Sequence, residues 1–513
     1  MRVDTSMPQG HPATPHPAEG EHDRELCDNV RPAAWQNPRP RDPYHLLVIG
    51  AGPAGLVAAR GAAALGAKVA LIEHHLLGGD CLNYGCVPSK TLIRSSRLYA
   101  EMRNAINFGV RPPVGIEVDF PLAMERVRRI RARISRVDSA ERLAAQGIDV
   151  FFGTARFTSG DSVDVDGTRL RFKKAMVAAG SRSMLPSIPG LAAAGYLTNE
   201  SVFDLTELPE SLLVIGGGPV GCELAQAFAR FGTRTVIVHD TPLFLPKEER
   251  DAAQMVSEAL ARDGVEIHLN TKVIEVRADG NRKCVDMLND GSAATTGVAQ
   301  ILTGIGRVPA VGGLNLEAAG IAYDDTHGIR VDDFLRTTNP RIYAAGDVCL
   351  AHQFTDTADA SARIVVQNAL WLGRKRISAL TIPWCTYTDP EVAHVGIYVR
   401  QARERGIPVK TFTVPMHDVD RAIADGEEHG FVKIHVREGT DRILGATVVA
   451  RHAGEMINGI SLAMVAGIGL RTVARVIHTY PTQANAIKMA ADAYTRSRLT
   501  PWLRWLLRRW VSR

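Results

Sequence analysis

Apolar positions along this chain come in short, dense runs that close on glycine. His45-Leu-Leu-Val-Ile49 ends in Gly50-Ala-Gly52, the pattern of a strand buried in a parallel sheet. An alanine-rich helix is predicted from Pro53 to Leu65, then a second strand from Lys68 to Glu73. The same strand–glycine–helix–strand unit recurs over Ser211–His239. Between the two, Phe120–Gln146 reads as one long Arg-rich helix with its charges on a solvated face. From Ile382 the period changes. Gly430–Val436 and Arg442–Val449 alternate as antiparallel strands, and helical stretches follow near Gly454–Ala466 and at Thr482–Arg496. The pattern therefore predicts two α/β units followed by an α+β domain.

The length supports that division: 513 residues, 45% of them apolar, suit about three domains. Sixty basic residues against 55 acidic ones give a formal charge of +5, too mild for a dedicated nucleic-acid binder. The seven cysteines are too scattered for a secreted disulfide scaffold and suit an intracellular enzyme with one functional pair. No basic-then-apolar leader pattern and no apolar run near ~18 residues is present. Residues 1–43 hold 8 of the 27 prolines without an apolar period and are expected to be a disordered tail. His11, His16, His22 and Cys27 match no tetrahedral spacing, so no metal ligands are assigned.

Gly50-Ala-Gly52-Pro53-Ala54-Gly55 stands between a strand and a helix. That arrangement gives a tight turn, close approach of pyrophosphate to the backbone, and a helix N-terminus facing the phosphates. Glu73 closes the second strand, where a carboxylate can accept ribose hydroxyls. Gly216-Gly-Gly218-Pro219-Val-Gly221 repeats the fingerprint. Its second strand ends at His239 where NAD-binding proteins usually carry an acid, and no Arg follows closely for a 2′-phosphate. NADH and NADPH stay open.

Just past the first unit comes Gly78-Gly79-Asp80-Cys81-Leu-Asn-Tyr-Gly-Cys86-Val-Pro-Ser-Lys90. Glycines flank the pair, and Pro88 places Cys86 near a helix start, where the positive end favours thiolate. This segment resembles the active site of the class I pyridine nucleotide-disulfide oxidoreductases, the family of dihydrolipoamide dehydrogenase, glutathione reductase and mercuric reductase. The resemblance runs from Tyr44 to Pro501 and takes in further motifs in the family's order. These are Val177-Ala-Ala179-Gly180-Ser181, Thr303-Gly-Ile-Gly306-Arg307-Val-Pro309, Ala345-Gly346-Asp347 and Tyr387-Thr-Asp-Pro390.

The resemblance implies two Rossmann-like domains binding FAD and NAD(P)H, and a C-terminal α+β dimerisation domain in a homodimer. The implied boundaries are 44–195 and 304–381 for FAD, 196–303 for NAD(P), 382–498 for dimerisation and 499–513 for a basic tail. It also implies that Cys81 meets the acceptor while Cys86 lies against the flavin as the charge-transfer thiolate. Lys90 and Glu223 become an ion pair near the flavin, and Asp347 binds the ribityl chain.

The chain departs from the family at His478-Thr-Tyr480-Pro481-Thr-Gln-Ala-Asn485. Disulfide-reducing members carry a His where Tyr480 stands and a Glu where Asn485 stands. A phenol with pKa near ~10 is a poor base near neutral pH, so reduction of a bulky disulfide is disfavoured. Mercuric reductases carry Tyr at this place, so Tyr480 is counted with the catalytic residues. Yet no cysteine follows Cys385 to deliver a metal ion, and no N-terminal Cys-x-x-Cys is present.

The tail Pro501–Arg513 holds three of the six tryptophans and four arginines, without an acid. Leu503, Leu506, Leu507 and Trp510 share a helical face opposite Arg504 and Arg508, as in helices that lie in an anionic membrane surface or against a membrane partner. The expected enzyme passes electrons from NAD(P)H through FAD and Cys86/Cys81 to a soft metal ion, in the cytoplasm or at the inner face of a membrane. The alternatives are a membrane-surface quinone or diffusible-acceptor reductase, a dihydrolipoamide-type disulfide reductase, and a redox-sensing flavoprotein scaffold.

Overall fold

The computed structural model describes residues 20–111, 115–371 and 373–512, apart from the Leu503 side chain. His11, His16 and Arg513 lie outside the described residues. The chain divides into two compact units. The first runs to Asp240 and resumes at Asn270–Leu380; the second comprises Thr241–Leu269 and the chain from Thr381 onward.

In the first unit, Tyr44–Ile49 pairs in parallel with Val69–Glu73 and with Thr168–Val177. Ile148–Phe152 forms the edge beyond Val69–Glu73, and Ile342–Ala344 adds to Thr168–Val177. Strands Tyr44–Ile49 and Val69–Glu73 are buried almost throughout, as their unbroken apolar runs require. Ala58, Ala59 and Ala62 of helix Pro53–Ala64 share a core with Ala362, Val365 and Val366 of helix Thr355–Leu370. Small side chains there let two helices approach the same sheet face closely.

The second nucleotide unit follows the same plan. Ser211–Ile215 lies between parallel partners Arg234–Val238 and Gln300–Thr303, with helix Pro219–Phe231 between the first two in sequence. An antiparallel ribbon, Thr271–Asp279, Arg282–Asn289 and Ser292–Val298, completes it.

The C-terminal unit is built on a five-stranded antiparallel sheet in the order Pro383–Thr386, Glu391–Gly396, Ile443–Ala450, Phe431–Arg437, Val409–Pro415. Helices Ala453–Val465 and Asn485–Ser497 bury Met456, Ile457, Ile460, Ile487 and Tyr494 in its core.

Two expectations need correction. Residues 20–43 are not a loose tail. A helix spans Glu21–Val30, and Leu26 and Val30 join the core of the first unit. The Arg-rich segment is not one helix: it breaks after Ser135 and restarts at Ala140, where Ser139 caps the new turn. Nor are all its charges solvated, because Arg131 is buried. Within the expected 196–303, residues 241–269 make contacts in the C-terminal unit. There Glu248 accepts from Trp384 and Tyr398, and Lys433 reaches Glu249 at 2.8 Å as well as Asp251.

Candidate active site

Cys81 lies in the helical turn Gly79–Asn83, and Cys86 opens the helix Cys86–Arg103 directly after Gly85. The unpaired amides of that first turn favour a thiolate at Cys86. Both cysteines are free thiols, Cys81 half-buried and Cys86 exposed. The hydrogen bond from Cys81 acts most strongly on Cys86. Burial opposes it and the Lys90 ammonium assists it, so the Cys86 thiol is pulled down to about 6. The same bond pushes the Cys81 thiol far upward. The reduced pair thus holds one proton, on Cys81, and one thiolate, on Cys86.

Cys86 Sγ also lies 3.5 Å from Thr355 Oγ1, at the start of helix Thr355–Leu370. Thr355 was not singled out in the sequence. It is 269 residues from Cys86, and no spacing rule connects them.

One helical turn beyond Cys86, Lys90 Nζ donates to Glu223 Oε2 at 2.8 Å. Glu223 is buried in the helix that opens at the second glycine loop. The ion pair therefore ties the cysteine helix to the helix that opens at the second glycine loop.

Arg307 gathers a second set of expected residues. Its guanidinium meets the carboxylate of Asp80, next to Cys81, and donates to Ser181 Oγ at 2.7 Å and Ser181 O at 2.8 Å. Ser181 Oγ in turn donates to Asp347 Oδ2 at 2.7 Å. Burial pushes the Asp347 carboxyl up, against the pull of Ser181 and Arg307. The crossover carrying Ala179 and Gly180, the Gly306-Arg307 segment and the Gly346-Asp347 motif therefore converge beside the cysteines.

At the first glycine loop a Cβ on Gly55 would lie 1.8 Å from Gly50 O, and at the second a Cβ on Gly221 would lie 2.3 Å from Gly216 O. Only glycine lets either helix pack this close to its strand. Gly52 and Gly218 begin their helices without any side-chain cap, with Pro53 and Pro219 in the first turn. Those amides are left to face an anion. Gly79 stacks so closely on Gly52 that a Cβ would come within 2.6 Å of its Cα. Such a cradle fits a dinucleotide pyrophosphate.

Glu73 Oε2 accepts from Ala51 N at 2.7 Å and Oε1 from His75 N at 2.8 Å. Burial opposes its ionisation, but His74 and those amides hold the carboxyl below the usual range. At the second loop His239 occupies the same structural place, with Nδ1 accepting from Gly217 N at 3.2 Å.

Tyr480 belongs to the C-terminal unit. It is 67% exposed, and its hydroxyl donates to Asp420 Oδ2 at 2.8 Å. The Asp420 carboxylate raises the phenol pKa. Asn485 begins helix Asn485–Ser497, and His478 is half-buried with Nδ1 near Val476 O.

Against known proteins, the pyridine nucleotide-disulphide oxidoreductase family matches over residues 44–369, and the dimerisation domain of the same family over 382–491. The chain belongs to this family. Members of this type use FAD and NAD(P)H, and the dimerisation domain supports a homodimer. Mercuric reductase from Lysinibacillus sphaericus is 33% identical over 89% of this chain and 83% of its own. Dihydrolipoyl dehydrogenase from Bacillus subtilis is 34% identical over 87% and 95%. Among solved structures, the HOCl-induced flavoprotein disulfide reductase RclA from Escherichia coli has a TM-score of 0.79 at 31% identity, covering 88% of this chain and 99% of its own. LpdA from Mycobacterium tuberculosis has a TM-score of 0.80 at 30% identity with the same coverage.

Proposed function

We propose that this flavoenzyme passes two electrons from NAD(P)H by way of FAD and the Cys86/Cys81 pair to a thiol-bound soft metal ion, in the manner of mercuric reductase. FAD, when bound, accepts hydride from the nicotinamide and relays the electron pair. The protein's part is to hold Cys86 as thiolate, with Lys90 charged beside it and Glu223 neutralising Lys90. Cys81 faces the acceptor and keeps the pair's one proton. The glycine loops, Glu73 and Asp347 would bind FAD, and Gly216–Gly221 with His239 the nicotinamide nucleotide.

The observation that carries the metal acceptor is Tyr480 with Asn485, where a disulfide reductase has its acid–base dyad. A phenol whose proton is engaged by Asp420 and whose pKa is raised is a poor proton donor to a leaving thiolate near neutral pH, whereas a metal ion taking two electrons needs none. The Cys86 thiolate, with the Cys81 thiol giving up its proton as the ion binds, also supplies the sulfur ligands that soft ions prefer. The relatives named mercuric reductase, and an RclA structure solved as a Cu(II) complex, support the same reading. The test is anaerobic steady-state turnover with Hg(II)–thiol complexes, Cu(II), quinones and lipoamide. Lipoamide as the best acceptor overturns the proposal. Cys86→Ser must also abolish the long-wavelength thiolate–flavin band seen on reduction.

The C-terminal helix favours a membrane-surface setting for this enzyme. Pro501–Val511 is helical, and Trp502, Trp505 and Trp510 are 67%, 53% and 75% exposed. Arg504, Arg508 and Arg509 accompany them, with the Arg509 guanidinium 5.2 Å from the Trp505 ring centre. Such a helix suits an anionic bilayer surface. Flotation with phosphatidylglycerol vesicles should depend on residues 502–513 and fail with phosphatidylcholine; flotation unaffected by their removal excludes this role.

A further inference from the structure

The family match begins at residue 44, yet the segment before it is built into the first unit. Arg31 Nη1 donates to His74 O at 2.7 Å and to His75 O at 2.6 Å, and the guanidinium lies 5.2 Å from the Phe152 ring centre. Val30 O accepts from Leu77 N at 3.2 Å. Trp35 Nε1 donates to Val150 O at 3.2 Å. Asn37 pairs with Phe152 in both directions, Nδ2 to O and N to Oδ1, each at 2.8 Å. Residues 30–37 thus cover the edge strand Ile148–Phe152 and grip the loop 74–77 from outside.

That loop connects two parts of the nucleotide site. At one end is Glu73, whose carboxylate accepts from His75 N and Ala51 N. His74 Nδ1 lies 3.1 Å from Glu73 Oε1. At the other end, Gly78 N donates to Ala51 O at 2.9 Å, and Gly79 stacks on Gly52. The two carbonyls held by Arg31 belong to the residues that present an imidazole and an amide to Glu73. Turning the His74–His75 peptide, whose carbonyl Arg31 holds and whose N–H is that of His75, would remove a donor from that carboxylate.

We propose that residues 30–37 are a strap that pre-forms the 73–79 loop for FAD, and that Arg31 is its positioning residue. Arg31 does not touch the cofactor's expected path; it acts through His74, His75 and Glu73. Arg31 gives both bonds from Nη1 while its planar guanidinium lies over the Phe152 ring, and a lysine ammonium has no such planar face. Preorganisation of this kind lowers the ordering cost of binding, so its loss appears as faster cofactor release. The inference rests on FAD as cofactor and not on which acceptor the enzyme reduces.

The test uses the full FAD-loaded chain with Arg31→Met and Arg31→Lys. FAD release is followed as transfer of flavin to an excess of a flavin-scavenging apoprotein, read from the absorbance of the flavin that apoprotein takes up. Hydrogen exchange of the 73–79 amides is measured on the apoproteins. Arg31→Met should release FAD about tenfold faster and expose the His75 and Leu77 amides, and Arg31→Lys should fall between it and the unaltered protein. At saturating FAD the long-wavelength band should be unchanged. Release within about twofold of the unaltered rate for both variants, or equal thermal destabilisation of apo- and holoprotein with release unchanged, overturns the proposal. Should Arg31→Met fail to fold, the Arg31→Lys release rate decides alone.

Discussion

Lys90 and Glu223 meet at 2.8 Å although one stands on the cysteine helix and the other on the helix that opens at the second glycine loop. Lys90 also lowers the Cys86 pKa through its charge. Lys90→Met should therefore raise that pKa above about 6. The thiolate exists above its pKa, so the long-wavelength band of the reduced enzyme should bleach as pH falls through about 6, with a higher midpoint in the variant. Leaving Glu223 buried without this partner should also lower stability by on the order of 1–3 kcal/mol, less than for a wholly enclosed pair because Lys90 is 34% exposed. An unmoved midpoint in a spectroscopic titration would sever Lys90 from Cys86.

His239 and Glu73 do the same structural work at their two loops: each accepts the amide of the residue after the first glycine. They differ in what they offer a ribose. His239→Glu should keep the loop bond, add an acceptor for both ribose hydroxyls, and repel a 2′-phosphate. The ratio of kcat/KM for NADH over NADPH should rise about tenfold or more, roughly the worth of one such hydrogen-bonded contact. If that ratio is unchanged, His239 does not face the ribose.

Much of this was legible in the sequence because glycine spacing dictates backbone shape. Gly50–Gly55 and Gly216–Gly221 specify a strand–turn–helix that no other residues allow, and the fold follows from it. Residues 20–43 are ordered against their composition because proline content sets only a local preference, whereas Leu26, Val30 and Trp35 pin the segment through contacts distant in sequence. Thr355 beside Cys86, and Arg131 on the buried side of its own charged helix, escape for the same reason. Both are settled by packing between elements far apart in the chain.

Tyr480 donates to Asp420 and has its phenol pKa raised by that carboxylate, so it is held protonated at neutral pH. Replacing Tyr480→His together with Asn485→Glu restores the imidazole and its orienting carboxylate. A positioned acid–base group is worth about 10²–10⁴ in rate. Lipoamide reduction should rise by at least about a hundredfold, while reduction of FAD by the nicotinamide in stopped-flow stays unchanged. A double variant still inert toward lipoamide would show that the acceptor is set elsewhere than at this pair.

The C-terminal unit should lose stability in mild acid. His394 is fully buried, stacks on Tyr398 at 3.7 Å, and bonds Thr447 Oγ1 at 2.8 Å. His435 is 1% exposed and bonds Thr411 Oγ1 at 2.9 Å, with Glu249 at 3.7 Å and Lys433 two residues away. Burial depresses both imidazoles, His394 to about 3 and His435 to about 4. In the unfolded chain each takes a proton near ~6.5. Between those values the unfolded state binds the extra protons, so stability is present above pH ~6.5 and falls as pH drops, by about 1.4 kcal/mol per pH unit for each histidine. Carboxylates such as Glu249 add their own loss at lower pH. Thermal unfolding between pH 7 and 5 should show this slope for the unaltered protein. His394→Gln and His435→Gln should each flatten it by one histidine's share, even where they lower stability at pH 7. Slopes identical to the unaltered protein in both variants would mean that neither imidazole is kept neutral by its burial.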